Sequence, residues 1–258
     1  MMQNVLFYVV LAVLGLVLGS FLNVVIYRVP RKEGLAFPAS HCANCGHKLS
    51  PLDLIPVFSQ IFLRGKCRYC KEKISIQYSL VELLTAVLFV LTATRASSMW
   101  ELVLSLATVL FLIPIAAIDF GHYIIPNKIL LAFLPVAVAS AVLQVVSQEQ
   151  VSLFYDSTSP FSPLLGAVAA SGILFLIALL GFYLHGREEV MGMGDIKLLA
   201  ILGALCGAKN ILLVLLSAVI LAGAASIVML VLRKKGRKDK IAFGPYIILA
   251  FYVIVYWL

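Results

Sequence analysis

Eight apolar runs dominate this chain: Val5 to Tyr27, Leu80 to Thr94, Trp100 to Ile118, Ile124 to Val146, Leu164 to Leu184, Ile196 to Cys206, Ile211 to Leu232 and Ile241 to Leu258. Most approach the roughly 20 residues that carry a helix across a bilayer. The chain of 258 residues is 62% hydrophobic and only 12% charged, whereas soluble domains carry about one quarter charged residues. These runs dictate an all-α membrane protein, a polytopic bundle of about eight transmembrane helices. Residues 1–258 read as a single polytopic domain, with one sizeable soluble insertion, residues 29–78, between spans one and two. The first run is longer than a signal-peptide core and Met1 to Asn4 carry no basic residue, so it is expected to stay as a span.

The formal charge of +8 raises the question of nucleic acid, and the placement of the basic residues decides against it. Nine of the twenty Lys and Arg fall between Arg28 and Lys73 and six more between Arg233 and Lys240, in loops flanking apolar runs. That is the positive-inside pattern; no basic surface interleaved with aromatics is present. With the N-terminus outside, alternate crossing puts both basic loops in the cytoplasm. It puts Val146 to Pro163, which has acids but no Lys or Arg, outside. The segments Asp119 to Tyr123 and His185 to Asp195 then also face the cytoplasm. No internal repeat is evident along the chain.

Of five aspartates, Asp53, Asp156 and Asp239 lie in polar loops. Asp119 directly follows Ile113 to Ile118 and Asp195 directly precedes Ile196 to Ile201, so each sits at a low-dielectric border where an acid is costly and points to function. Two carboxylates that converge cannot both ionise easily; they share a proton and titrate as a coupled pair. One can then draw a proton from water attacking a peptide carbonyl, while the other supports the oxyanion and protonates the leaving amine. Taken singly, each aspartate also fits an ordinary helix-end role. Gly192 and Gly194, in Met191-Gly192-Met193-Gly194-Asp195, tilt the balance, because bare backbone there lets a substrate strand approach.

Cys42-Ala43-Asn44-Cys45 and Cys67-Arg68-Tyr69-Cys70 form two CxxC pairs separated by 21 residues, close to the spacing of a four-thiolate zinc site. Metal would close a loop that has little core of its own, and a reducing compartment favours thiolates over disulfides. The expected role is structural, with redox cysteines as the competing reading. His41 and His47 flank the first pair as possible substitutes, and Cys206 reads as core filling.

The segment Met191 to Ala200, MGMGDIKLLA, resembles the GxGD motif of the prepilin peptidases, or type IV leader peptidases, which are membrane aspartyl proteases. Ile118 to Asn127, IDFGHYIIPN, resembles that family's other catalytic segment. Gly19 to Pro30, Leu63 to Cys70, Ile74 to Glu82 and Phe243 to Tyr246 extend the likeness from first span to last. The resemblance implies catalytic residues at Asp119 and Asp195 and is consistent with the tetracysteine loop. Asn127 departs from it, since many relatives have an aspartate there, and this position is read as non-catalytic.

The same resemblance implies prepilin, pseudopilin or competence-pilin precursors as substrates, cut after a short basic leader at the cytoplasmic face of a bacterial inner membrane. The lipid bilayer is a further partner, and nucleic acid is not one. Glu188 and Glu189 are candidates for attracting the leader, or are simply solvated loop acids. Glu82, early in the second span, reads as interior and substrate-binding, with a place at the water interface as the competing reading, and Asn23 as a hydrogen-bonding group between helices. Methylation of the new amino terminus with S-adenosylmethionine rests on resemblance alone, since the chain has no Gly-rich dinucleotide-type loop. Two other functions compete: an ion-coupled transporter, which predicts inverted repeats, and a zinc-stabilised assembly scaffold with structural aspartates.

Overall fold

A computed structural model describes residues 5–147, 159–185, 192–232 and 241–257. The described residues are helical, in the order α1 (Val5–Arg28), a 3-10 turn (Pro51–Leu54), α2 (Phe58–Phe62), α3 (Gln77–Arg95), α4 (Met99–His122), α5 (Asn127–Ser147), α6 (Ser162–His185), α7 (Met193–Val231) and α8 (Gly244–Trp257). Six helices are long and apolar enough to cross a membrane, and α8 is a shorter apolar helix. Large side chains point away from the core along them, such as Leu6, Leu131, Leu176 and Val231, as a lipid-facing surface requires. The protein is an all-α, multi-pass membrane protein.

The expected sixth and seventh spans form the single run α7, 39 residues long. Unbroken, it would reach about 58 Å, far beyond a hydrocarbon core of about 30 Å. It is broken at Gly207, whose φ of 74° and ψ of 172° belong to a region that essentially only glycine enters. The division expected between Cys206 and Ile211 therefore falls on one glycine. Helix α4 continues past the expected end at Ile118 to His122, which puts Asp119 inside its last turn. Tyr123 closes that helix in the left-handed conformation, its N–H donating to the Asp119 carbonyl at 2.8 Å.

The described contacts divide the chain into two units. The first holds Met1–Ala96 with Ser105–Pro114. Here α1 packs on α3 through Gly15 and Gly19, a small-xxx-small pair. A Cβ on Gly15 would lie 2.6 Å from Ala86 Cα, and one on Gly19 would lie 2.7 Å from Glu82 Cα, so only glycine permits this approach. The second unit holds Ser97–Leu104 with Ile115–Leu258. In it α6 lies along α7, and bare Gly166 and Gly203 bring the two backbones together.

Candidate active site

Both singled-out aspartates belong to the second unit. Asp119 is only 5% exposed, and its Oδ2 accepts the backbone N–H of Gly244 at 2.9 Å. Gly244 opens α8, with Pro245 behind it as a natural first-turn residue. A Cβ on Gly244 would stand 2.8 Å from that same oxygen, so the contact requires glycine. The C-terminal Phe-Gly-Pro-Tyr segment thus carries a positioning group at Gly244 that no single-residue signal revealed; the donor is backbone.

Asp195 lies in the first turn of α7, three residues after the cap position, which Gly192 occupies without a side-chain cap. Asp195 Oδ1 is buried without a hydrogen-bond partner. An acid that merely caps its helix would have its oxygens on the first-turn N–H groups. The glycines beside it are needed for space: a Cβ on Gly192 would lie 2.6 Å from Asp195 Oδ2, and one on Gly194 would lie 2.8 Å from Ile125 Cβ.

The end of α4 and the segment after it approach the start of α7. Asp119 and Asp195 lie within electrostatic range of each other. Ile125 covers Gly194, and Lys197 Nζ donates to Asn127 Oδ1 at 2.9 Å. Segments 119–127 and 192–197, remote in sequence, are thereby brought together. Asn127, the position that departs from the resemblance, here holds a lysine. Glu188, Glu189 and Met191 lie outside the described residues.

In the first unit the four cysteine sulfurs all lie within 4.8 Å of one another. Cys42 Sγ and Cys70 Sγ are 3.8 Å apart, too far for a disulfide and close to the edge of a thiolate tetrahedron around an ion with metal–sulfur bonds of about 2.3 Å. The two CxxC segments repeat one local geometry. Cys42 N–H donates to His47 O and Gly46 N–H to Cys42 O; likewise Cys67 N–H donates to Glu72 O and Lys71 N–H to Cys67 O. Gly46 and Lys71, at equivalent positions, both have positive φ, and the bridges His41 to Lys48 and Lys66 to Lys73 close the two turns. This local repeat is too short to show as an internal repeat of the sequence.

The backbone N–H groups of Cys45 and Asn44 lower the Cys42 thiol to about 7. The His47 N–H favours the Cys45 thiolate, yet desolvation and the crowding of Cys42 and Cys70 push that thiol up to about 11. A cation among the four sulfurs would relieve this crowding, so the donor set fits a metal ion such as zinc. His41 instead hydrogen-bonds Ala39 O and His47 stacks on Tyr69, leaving a cluster of cysteines alone. Cys206 is buried in α7, as core filling requires.

Glu82 is buried, as the interior reading expects, and its Oε2 accepts the Val57 N–H at 2.8 Å. It ties the loop to α3 at Val57, whose φ of 61° is rare for a β-branched residue. Asn23 joins α1 to α3 by donating to Tyr78 O at 2.9 Å.

Comparison with known proteins matches residues 13–96 to the Bacterial Peptidase A24 N-terminal domain and residues 106–227 to the Type IV leader peptidase family. A relative from Xanthomonas campestris pv. campestris is 33% identical over 95% of this chain and 89% of its own length. One from Myxococcus xanthus is 38% identical over 87% of this chain and 64% of that protein. A third, from Bacillus subtilis, is 32% identical over 92% and 89%. All three carry the name prepilin leader peptidase/N-methyltransferase. No solved structure matches. With both domain models in order along the chain, and relatives matched over most of its length, this protein belongs to the type IV leader peptidase family.

Proposed function

We propose that this protein is a membrane aspartic endopeptidase that removes short basic leaders from type IV prepilin-like precursors and also N-methylates the new amino terminus. The observation that carries the peptidase reading is the convergence of Asp119 and Asp195, with Gly244 fixing one carboxyl and the other keeping a bare buried oxygen. Two acids so placed can activate a water between them. One carboxylate takes the proton as the water oxygen attacks the scissile carbonyl, and the other, protonated, bonds the developing oxyanion. The second then gives its proton to the departing amine, after which the pair exchanges roles and is ready again.

The tetracysteine cluster has a structural part in this reading, with Cys42, Cys45, Cys67 and Cys70 holding zinc and closing the loop of residues 29–78. The basic loops favour an orientation with the N-terminus outside and the aspartates at the cytoplasmic edge, where the leader of an inserted precursor would lie. Gly192 and Gly194, and the acids Glu82, Glu188 and Glu189, are the proposed substrate contacts. The transporter alternative finds no support in the convergent pair, which a hydrolase needs and an ion pathway does not.

Asp119→Asn and Asp195→Asn test the reading directly against a membrane-embedded prepilin. Each is expected to lower cleavage by about 10² to 10⁴ while the protein still inserts. A scaffold with structural aspartates would keep full cleavage in both variants.

A further inference from the structure

The residues between α1 and α3 fold as an insertion outside the spans, yet their surface is not that of a water-facing domain. Helix α2 carries Phe58, Ile61 and Phe62 at i, i+3 and i+4, which is one face of a helix, and these side chains are 55%, 65% and 82% exposed. Leu52 and Ile55, three residues apart in the preceding 3-10 turn and its cap, are exposed as well. The polar residues of α2 point the other way. Gln60 Nε2 donates to Ser75 O at 3.2 Å, Gln60 Oε1 accepts the Ser79 hydroxyl, and Ser59 and Gln60 line the cavity enclosed by the loop, α1 and α3. An amphipathic helix in water turns its apolar face inward. Helix α2 does the reverse.

What faces the apolar side follows from where α2 is tied. The Gln60 bonds fix it to Ser75 and Ser79 at the start of α3. There Ile76 and Leu80, four residues apart, begin an exposed apolar strip that continues through Leu83, Leu84 and Val87 along a membrane-spanning helix. The lipid-facing surface therefore runs up to the residues that hold α2. Charge agrees with this placement. Residues 29–78 contain eight Lys and Arg against three Asp and Glu. Arg64, Lys66, Lys71 and Lys73, shortly after α2, are exposed and make no ion pair among the described residues, whereas Arg68 in the same stretch is bound to Asp53. Basic side chains beside an outward apolar face are the pattern of a helix lying in the boundary between headgroups and acyl chains of an anionic bilayer.

We propose that α2 is an interfacial anchor of the tetracysteine loop. Phe58, Ile61 and Phe62 enter the headgroup and acyl boundary of the bilayer that α1 and α3 cross, and the basic residues after α2 lie against anionic lipid phosphates. The inference goes beyond the peptidase reading and needs neither aspartate. Its consequence is positional. Val57, the residue before α2, holds Glu82 of α3 through its N–H, so a bilayer that grips α2 also fixes the point where the loop meets α3.

The test uses the full chain in nanodiscs and does not depend on turnover. Phe62→Trp is the probe, read against the parent protein with its own Trp100 and Trp257. In phosphatidylglycerol and phosphatidylcholine nanodiscs with brominated acyl chains, the added emission is expected to fall at least about twofold, as for an indole about 5–10 Å into the boundary, while iodide in the water leaves it nearly unchanged. Arg64→Gln and Lys71→Gln are each expected to lower the inserted-to-free ratio of the probe about fivefold, an effect that vanishes in nanodiscs of phosphatidylcholine alone. Phe62→p-benzoylphenylalanine, photolysed in native membranes, gives an independent reading and is expected to form a lipid adduct. Thermal unfolding in detergent close to that of the parent reports that each variant folds. Emission quenched by iodide and not by brominated lipid, an adduct with a second copy or another protein, or shielding that arises only when a prepilin is added would overturn the assignment. So would equal quenching in charged and neutral nanodiscs.

Discussion

Asp119 is held by the backbone of a residue 125 positions further on: its Oδ2 accepts the N–H of Gly244 at 2.9 Å in a buried setting. The donor sits at the first residue of α8, so the aligned peptide dipoles of that helix also end at this carboxylate. The contact fixes the Asp119 rotamer and needs an absent side chain at Gly244.

Gly244→Ala therefore strikes the site without touching an acid. The new Cβ would stand 2.8 Å from Asp119 Oδ2, and the carboxylate must give way. Displacement of a reacting group by about 1 Å can lower a rate about 100-fold. The expected result is a large fall in kcat with KM nearly unchanged, measured by steady-state cleavage of a reconstituted prepilin. An equal loss through KM would show that α8 acts on substrate binding.

The break in α7 makes a second prediction. At φ 74° and ψ 172°, Gly207 occupies a conformation that a Cβ opposes at a cost of about 1–3 kcal/mol. Gly207→Ala is expected to lower the thermal unfolding midpoint in detergent, whereas Gly223→Ala, inside the same helical run with open space for the new Cβ, should leave it unchanged or raise it slightly.

The paired cysteine turns predict a stoichiometry and an asymmetry. Elemental analysis is expected to find one zinc per chain, with Cys67→Ser, at a buried sulfur, losing it. Gly46 has φ of 69° with open space around it, so Gly46→Ala adds only backbone strain, about 1 kcal/mol or fivefold in metal affinity. Lys71 already occupies the equivalent left-handed position, so Lys71→Ala should change affinity little.

Asp53 gives the loop a pH dependence of known sign. Burial opposes its charge, but Arg68 Nε at 2.6 Å and the N–H and hydroxyl of Ser50 outweigh that and hold its carboxyl below the usual carboxylate range. A group whose folded pKa is depressed stabilises the fold above the ordinary carboxylate pKa, near 3.9, and loses that contribution as pH falls through the lower folded value. Asp53→Asn should therefore unfold more readily than wild type at pH 7, with the gap closing in strong acid. A gap independent of pH would place the effect in packing.

What the sequence by itself determined was whatever is local or periodic. The length of the apolar runs compelled membrane helices, the spacing of the CxxC pairs compelled a cluster of four thiols, and the aspartates stood out because each follows or precedes an unbroken apolar stretch. The tertiary structure alone decided what depends on backbone meeting backbone across long separations. Gly244 meets Asp119, Gly194 meets Ile125 and Gly19 meets Glu82 through an absent side chain, and an absence leaves no chemical signature in a one-dimensional pattern. The break at Gly207 is of the same kind, since a glycine inside an apolar run reads as helix until the packing of the chain demands a conformation that other residues resist.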